Sequence, residues 1–310
     1  MGSLRKCRPQ HPPELDTNLF TTMTHSDRLT LNLPHLVLAS LLLLTATAPE
    51  VALSQLTRER VETDAPLEIF PSPLIVGMSS AGNLAGGNLY TSVTHTFGRL
   101  DGGIDHFFGL DDGANTRIGL DYGFSDRFSM GISRMTFLKV VDLRGKVTLQ
   151  RQTVTGGSPV EMTLKGSVSI STLSGTGDSF SERLVYFISL PTARKFDQLS
   201  LQIAPMFAHF NSVSQGGEEQ LLALGLAGSY RLSQRFSLGL EYLPVLSTGN
   251  PGTRHAMAVV LDIETGGHIF QLFLASSQWH NEPYILANNT DRFIDGEFRF
   301  GFTIHRVFGL

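Results

Sequence analysis

The chain has 310 residues, of which 41% are hydrophobic and 17% charged, with 31 glycines, 21 phenylalanines and a net charge of −4. A disordered chain would be rich in charge and poor in aromatics, and a nucleic-acid binder would carry a basic footprint, so both classes are excluded. A polytopic helical membrane protein needs several apolar runs of about 20 residues, and with those lacking the balance leans towards β structure.

The one cysteine, Cys7, precedes a second methionine at Met23, and residues 1–22 read as an over-extended start. Residues 23–54 read as a secretory signal: Arg28 in a short n-region, an apolar core beginning Leu36-Val37-Leu38, and Ala52-Leu53-Ser54 as a small-residue cleavage site. The core is too short to span a bilayer stably, which disfavours a membrane anchor. Cleavage there leaves a mature chain starting near Gln55 with no cysteine, so neither a lipoprotein nor a disulfide framework is expected. Residues 55–87 follow as a Pro/Gly-rich segment with Pro66, Pro71, Pro73, Gly82, Gly86 and Gly87. Its apolar run Leu74–Met78 favours docking in the barrel as a plug over lying free in the periplasm; a further strand is the other option.

From Asn88 the period becomes two. Ile118, Leu120, Tyr122 and Phe124 alternate with Arg117, Gly119, Asp121 and Gly123, and Phe298, Phe300, Phe302 and Ile304 with Arg299, Gly301, Thr303 and His305. One face is large and apolar, the other small or polar. Strands are predicted over 88–99, 114–124, 128–140, 144–154, 159–171, 182–194, 199–211, 220–232, 236–248, 255–264, 268–279 and 296–308. Tight turns such as Ser125-Asp126-Arg127 and Ser233-Gln234-Arg235 alternate with longer connections, among them Leu100–Gly113 and His280–Asp295. Aromatics flank the short turns at Phe124, Phe128, Tyr230, Phe236, Phe270 and Phe308. The pattern predicts an all-β fold: a closed antiparallel transmembrane β-barrel of about 12 strands over 88–310, of outer-membrane type. Lipid offers no hydrogen-bond partners, so every strand must pair and the sheet must close. A soluble sandwich fits the alternation but not the strand length, the loop asymmetry or the export signal. The expected location is the outer membrane of a Gram-negative bacterium, with both termini periplasmic and insertion by the barrel-assembly machinery.

Several blocks resemble a bacterial family of membrane-bound β-barrels, domain of unknown function 5777. They are Thr94-His95-Thr96-Phe97-Gly98-Arg99-Leu100, Phe107-Phe108-Gly109-Leu110-Asp111, Arg117–Arg127, Asp262–Leu272 and the closing Gly296–Phe302 with Arg306-Val307-Phe308. The resemblance runs in order over residues 67–310 and implies an outer-membrane barrel, with no activity attached. The chain departs from the family at Met135-Thr136-Phe137-Leu138, where the third-strand motif is usually longer.

Strand parity places Arg117, Asp121, Glu161, Lys165, Arg183, Arg231, Glu241, Asp262, Glu264, Gln271, Glu297, Arg299 and His305 in the lumen. The expected function is a narrow, porin-like conduit for small solutes, bounded by outer-membrane lipid. The alternatives are a closed structural or binding barrel presenting Leu100–Gly113 and His280–Asp295 to partners, and an outer-membrane hydrolase. The hydrolase has candidates in His268, Ser276, Ser277 and His280, yet none stands in a nucleophile-elbow sequence. His95 and His305, on the first and last strands, are a metal hint without a third ligand, and Asp101, Asp105, Asp111 and Asp112 lack calcium-loop spacing. No cofactor is expected.

Overall fold

The computed structural model describes residues 66–309, apart from 155–156, 176–178 and 214. The over-extended start, the signal sequence and residues 55–65 lie outside the described residues.

Thirteen strands form one antiparallel sheet: β1 Asn88–Arg99, β2 Asn115–Ser125, β3 Phe128–Met135, β4 Val140–Gln150, β5 Glu161–Ser171, β6 Leu184–Ser189, β7 Thr192–Phe196, β8 Leu199–Phe210, β9 Gln220–Arg231, β10 Phe236–Leu243, β11 Ala256–Thr265, β12 His268–Ala275 and β13 Arg299–Gly309. Strands β1–β5 and β8–β13 each pair with the next in sequence, β6 and β7 both pair with β5 and β8, and β1 pairs with β13, so the sheet has no free edge. Both β6 and β7 lie between β5 and β8, and they are two halves of one stave. The break falls at Leu190–Pro191, where proline has no N–H for the ladder. The result is a closed barrel of twelve staves.

Burial along the strands is inside-out relative to a soluble protein. In β8, Leu199, Leu201 and Ile203 are exposed while Ser200, Gln202 and Ala204 are buried. In β4, Leu143 and Val147 face out while Asp142, Arg144 and Lys146 face in. An apolar exterior with a polar interior suits acyl chains outside and hydrogen-bonding groups inside. Phe124, Tyr230 and Phe236 are exposed beside the short turns, where amphipathic rings gather at a membrane interface. Among the described residues no helix is long and apolar enough to cross a membrane, so crossing is by strands.

Several boundaries differ from the sequence reading: the strands predicted over 236–248 and 268–279 end at Leu243 and Ala275, the one predicted over 296–308 begins at Arg299, and the largest shift lies around the fourth strand. The third strand ends at Met135 rather than 140, and the fourth begins at Val140 rather than 144. A 3-10 turn, Phe137–Lys139, intervenes, with Leu138 and Lys139 at φ 51° and 48°. Non-glycine residues rarely adopt that conformation, so neither composition nor period announces the turn. The connection His280–Asp295 also departs from a loop presented to solvent. It contains a short helix, α1, Glu282–Asn288, whose residues Glu282–Ala287 are all buried.

Candidate functional site: the filled lumen

Two stretches of chain occupy the barrel interior. The first is residues 66–87. It enters at the end carrying the short turns, where the Leu67 N–H donates to Gln152 O at 2.9 Å and Lys195 Nζ to Glu68 O at 2.8 Å. Deeper in, Gln271 Nε2 donates to Ile75 O at 2.8 Å. The successive N–H groups of Val76, Gly77 and Met78 all donate to the Glu241 carboxylate, at 3.1, 3.1 and 3.0 Å. The Ala81 N–H donates to Gln202 Oε1 at 2.7 Å, and Thr163 Oγ1 donates to Ala81 O at 2.6 Å. Lys146 Nζ donates to Ser80 O at 2.9 Å and also to Gly82 O. The segment then descends, with the Gly87 N–H on Gly123 O at 2.8 Å, and enters β1.

The second stretch, residues 276–291, folds in from the opposite end. His280 donates its Nε2–H to Asn115 O at 3.0 Å, and Asn281 Nδ2 donates to Ser169 Oγ at 3.1 Å. Glu282 forms a buried ion pair with Lys165. The same Glu282 oxygen accepts the Ser79 N–H at 3.1 Å, so the two inserted stretches meet on one carboxylate. Burial raises the Glu282 pKa, but the Lys165 ammonium outweighs it and holds the group below the ordinary carboxylate range. Burial pulls the His280 imidazole down to about 4, helped by Arg117, so it is neutral at physiological pH.

Two glycines let the inserted chain approach the wall. A Cβ on Gly123 would stand 2.2 Å from Ala85 O, and one on Gly225 would stand 2.2 Å from the Met78 sulfur. Between the inserted stretches and the wall, one void measures about 30 Å³, beside Tyr90, Arg117, Lys146 and Glu282. Two further voids measure about 10 Å³ each. These are spaces for one or two waters, not a continuous path.

The sequence-predicted lumen residues fall into separate groups. Arg117 donates to Ser133 Oγ at 3.1 Å, while Asp121 is clasped by Arg144, whose Nε lies 2.8 Å from Oδ1. Lys165 and Glu241 hold the inserted stretches. Asp262, Gln271 and His305 form a hydrogen-bonded chain: Tyr90 OH on His305 Nδ1, His305 Nε2 on Gln271 Oε1 at 2.6 Å, and Gln271 Nε2 on Asp262 Oδ1 at 2.8 Å. The chain is consistent with the Nε2–H tautomer. Arg231 pairs with Glu264 and Glu68 at 3.4 Å each, at the turn end. Glu161 is buried at the start of β5. Arg299 pairs with Asp291, and Glu297 with Arg99 at 3.2 Å, both at the loop end. Arg117 and Asp121 therefore form no ion pair with Glu297 or Arg299. Two placements are corrected: Arg183 lies in the 3-10 turn Ser181–Arg183 and Glu297 precedes β13, so neither sits on a strand.

Sequence reasoning missed Asp142, which fell outside the strand predicted over 144–154, and left Arg144 and Lys146 out of the lumen set although that strand contains them. Their alternation with Val141, Leu143 and Val147 carried the signal. It also missed Tyr90, Gln202 and Glu282, and named His280 only as a hydrolase candidate. His95 stacks on Phe302 in the outward register while His305 is buried in the lumen, so the two occupy opposite faces and share no metal site. His280 is committed to Asn115, and His268 sits at the turn end beside Arg306.

The fold and its filled interior define a transmembrane β-barrel closed by its own chain. The chain belongs to the family described as membrane bound beta barrel domain (DUF5777), whose model matches residues 70–308. No curated protein sequence matches it. Among solved structures it is similar to the NanC porin, at 10% identity over 72% of this chain and 99% of that one, with a TM-score of 0.46. It is similar also to the COG4313 outer membrane channel from Pseudomonas putida F1, at 10% identity over 74% and 98%, with a TM-score of 0.45. A third is the outer membrane phospholipase A from Escherichia coli, at 10% identity over 77% and 93%, with a TM-score of 0.38.

Proposed function

We infer that the protein is an outer-membrane conduit for small solutes, held closed in this state by residues 66–87, with the inserted loop 276–291 narrowing its other end without sealing it. One observation carries the reading: much of the wall behind the N-terminal segment is polar and holds it through side-chain hydrogen bonds to its main chain. Glu241, Gln271, Gln202, Thr163 and Lys146 all make such bonds. Water can replace each of these bonds, so withdrawing the segment leaves a charged, hydratable lining. The reading includes export by the N-terminal signal, periplasmic termini and turns, and insertion by the barrel-assembly machinery.

A permanently closed structural barrel is the second reading, and the small residual voids favour it. Liposome swelling separates the two. Proteoliposomes of chain 88–310, with folding checked by circular dichroism, should swell in small sugars and amino acids, while chain 55–310 should swell little. A folded 88–310 barrel that gives no swelling contradicts the conduit.

A further inference from the structure

The loop end of the lumen is lined differently from the rest. Phe187 of β6, Met206 and Phe210 of β8, Leu221 of β9, Leu243 of β10 and Ala256 of β11 form a buried apolar inner wall. A conduit for hydrophilic solutes has no use for such a wall, because apolar surface facing luminal water is unfavourable. At its edge stands a cation: Lys165 Nζ lies 5.4 Å from the centre of the Phe187 ring. Helix α1 covers both features. Glu282 neutralises Lys165, and Tyr284, Ile285 and Leu286 join the apolar cluster, with Tyr284 edge-on to Phe210 at 6.0 Å between ring centres. The inserted loop thus offers the wall a carboxylate followed by an apolar body.

We propose that α1 occupies a binding site for a small monocarboxylate with an aromatic or aliphatic body. The ligand's carboxylate takes Lys165 in place of Glu282, and its apolar part replaces Tyr284–Leu286 against the wall. Naming this compound as cargo rests on the conduit reading; its binding does not. The chemistry of the site fixes the class. The Lys165 side chain is only 3% exposed, and a buried ammonium stripped of its partner is strongly unfavourable, so whatever displaces Glu282 must bring an anion. Phe187, Met206 and Phe210 offer no hydrogen-bond partners, which disfavours sugars and inorganic anions at the same place. The resident helix is short, at seven residues, and has no side-chain cap at Asn281, so little beyond its packing against the wall holds it helical.

The sole tryptophan, Trp279, reports the exchange, because it stacks on Tyr284 at 5.9 Å and meets Phe137 edge-on at 5.5 Å. The folded full chain in detergent is titrated with 4-phenylbutanoate and hexanoate, with acetate and hexan-1-ol as controls, while Trp279 emission is followed. Both larger carboxylates should give a saturable change, and both controls should bind at least about tenfold more weakly. Glu282→Gln weakens the resident competitor and should tighten hexanoate about tenfold. The double variant Lys165→Met with Glu282→Gln leaves no unpaired charge and should lose the response. No saturable change in either the natural chain or Glu282→Gln overturns the proposal. So does acetate or hexan-1-ol binding as tightly as hexanoate, or a response that survives in the double variant. Swelling measured in parallel keeps the two readings apart. Binding in a barrel whose 88–310 form never swells liposomes upholds the site and sinks the conduit, and swelling without binding does the reverse.

Discussion

The Gly77 N–H donates to Glu241 Oε1 at 3.1 Å, and the N–H groups on either side of it donate to the other oxygen of the same carboxylate. Residues 164 positions apart in sequence are thereby joined at the centre of the barrel. Three consecutive main-chain donors aimed at one anion form a concave cradle, and the barrel wall supplies the anion. The contact fixes the apex of the N-terminal segment against β10, and the rest of the lumen is arranged around it.

Removing that anion should free the segment before it disturbs the barrel. Glu241→Ala leaves three donors without an acceptor, each costing about 1–3 kcal/mol if it stays buried. Glu241→Gln keeps one carbonyl oxygen and should fall between. Limited proteolysis within residues 66–87 checks this, with the expected rate order Ala, then Gln, then the natural residue, while the strand signal in circular dichroism is unchanged.

A methyl group at Gly123 should loosen the same segment from the other side. Its Cβ would meet Ala85 O at 2.2 Å, a main-chain atom that cannot swing away. The corresponding change at Gly225 meets the ends of Met78 and Met206, which can. Gly123→Ala should therefore increase amide exchange over residues 84–87 more than Gly225→Ala does over 76–80.

How far the sequence carried depends on what set each residue's environment. The faces of β8 and β4 follow from alternation, because lipid on one side and packed chain on the other impose a period of two. The inserted stretches have no period. Whether 66–87 enters the lumen is decided by groups such as Glu241 and Gln202, and whether 276–291 does so by Lys165 and Asn115. The apolar run Leu74–Met78 is a local mark of docking for 66–87, but the pairing that holds it, and the entry of 276–291, leave none. The late start predicted for the fourth strand has a local cause, the left-handed pair Leu138–Lys139, and it left Asp142 off the strand whose Asp142-x-Arg144-x-Lys146 series lines the wall.

Acid should release the inserted loop. His280, in that loop, has a folded pKa pulled from 6.5 to about 4 by burial. Its contribution to stability is complete above the unfolded value near 6.5 and is lost progressively as the pH falls towards about 4. Glu282, with its pKa held below the ordinary value of 4.5, loses its contribution only at still lower pH. Trp279 emission should shift to longer wavelength between pH 6.5 and 4. In His280→Gln, which keeps an N–H donor and does not titrate, that shift should be absent.

The two faces of one strand should respond oppositely to charge. Ile203 faces out and its neighbour Gln202 faces in. Ile203→Arg places a guanidinium in hydrocarbon and should destabilise the folded barrel in lipid vesicles by about 2–4 kcal/mol if it sits near the midplane. Gln202→Lys faces the lumen and should spare the barrel, while removing the acceptor of the Ala81 N–H and so loosening the segment. Denaturant titration in vesicles, followed by strand signal, distinguishes the two.

The central claim is that a conducting lumen lies behind the N-terminal segment. Single-channel recording in planar bilayers tests it most directly, with chain 55–310 and chain 88–310 measured side by side. The account predicts a barrel that is closed for most of the record with the segment present, and a steady open level once it is removed. A folded, inserted 88–310 barrel that stays silent across the voltage range would contradict it.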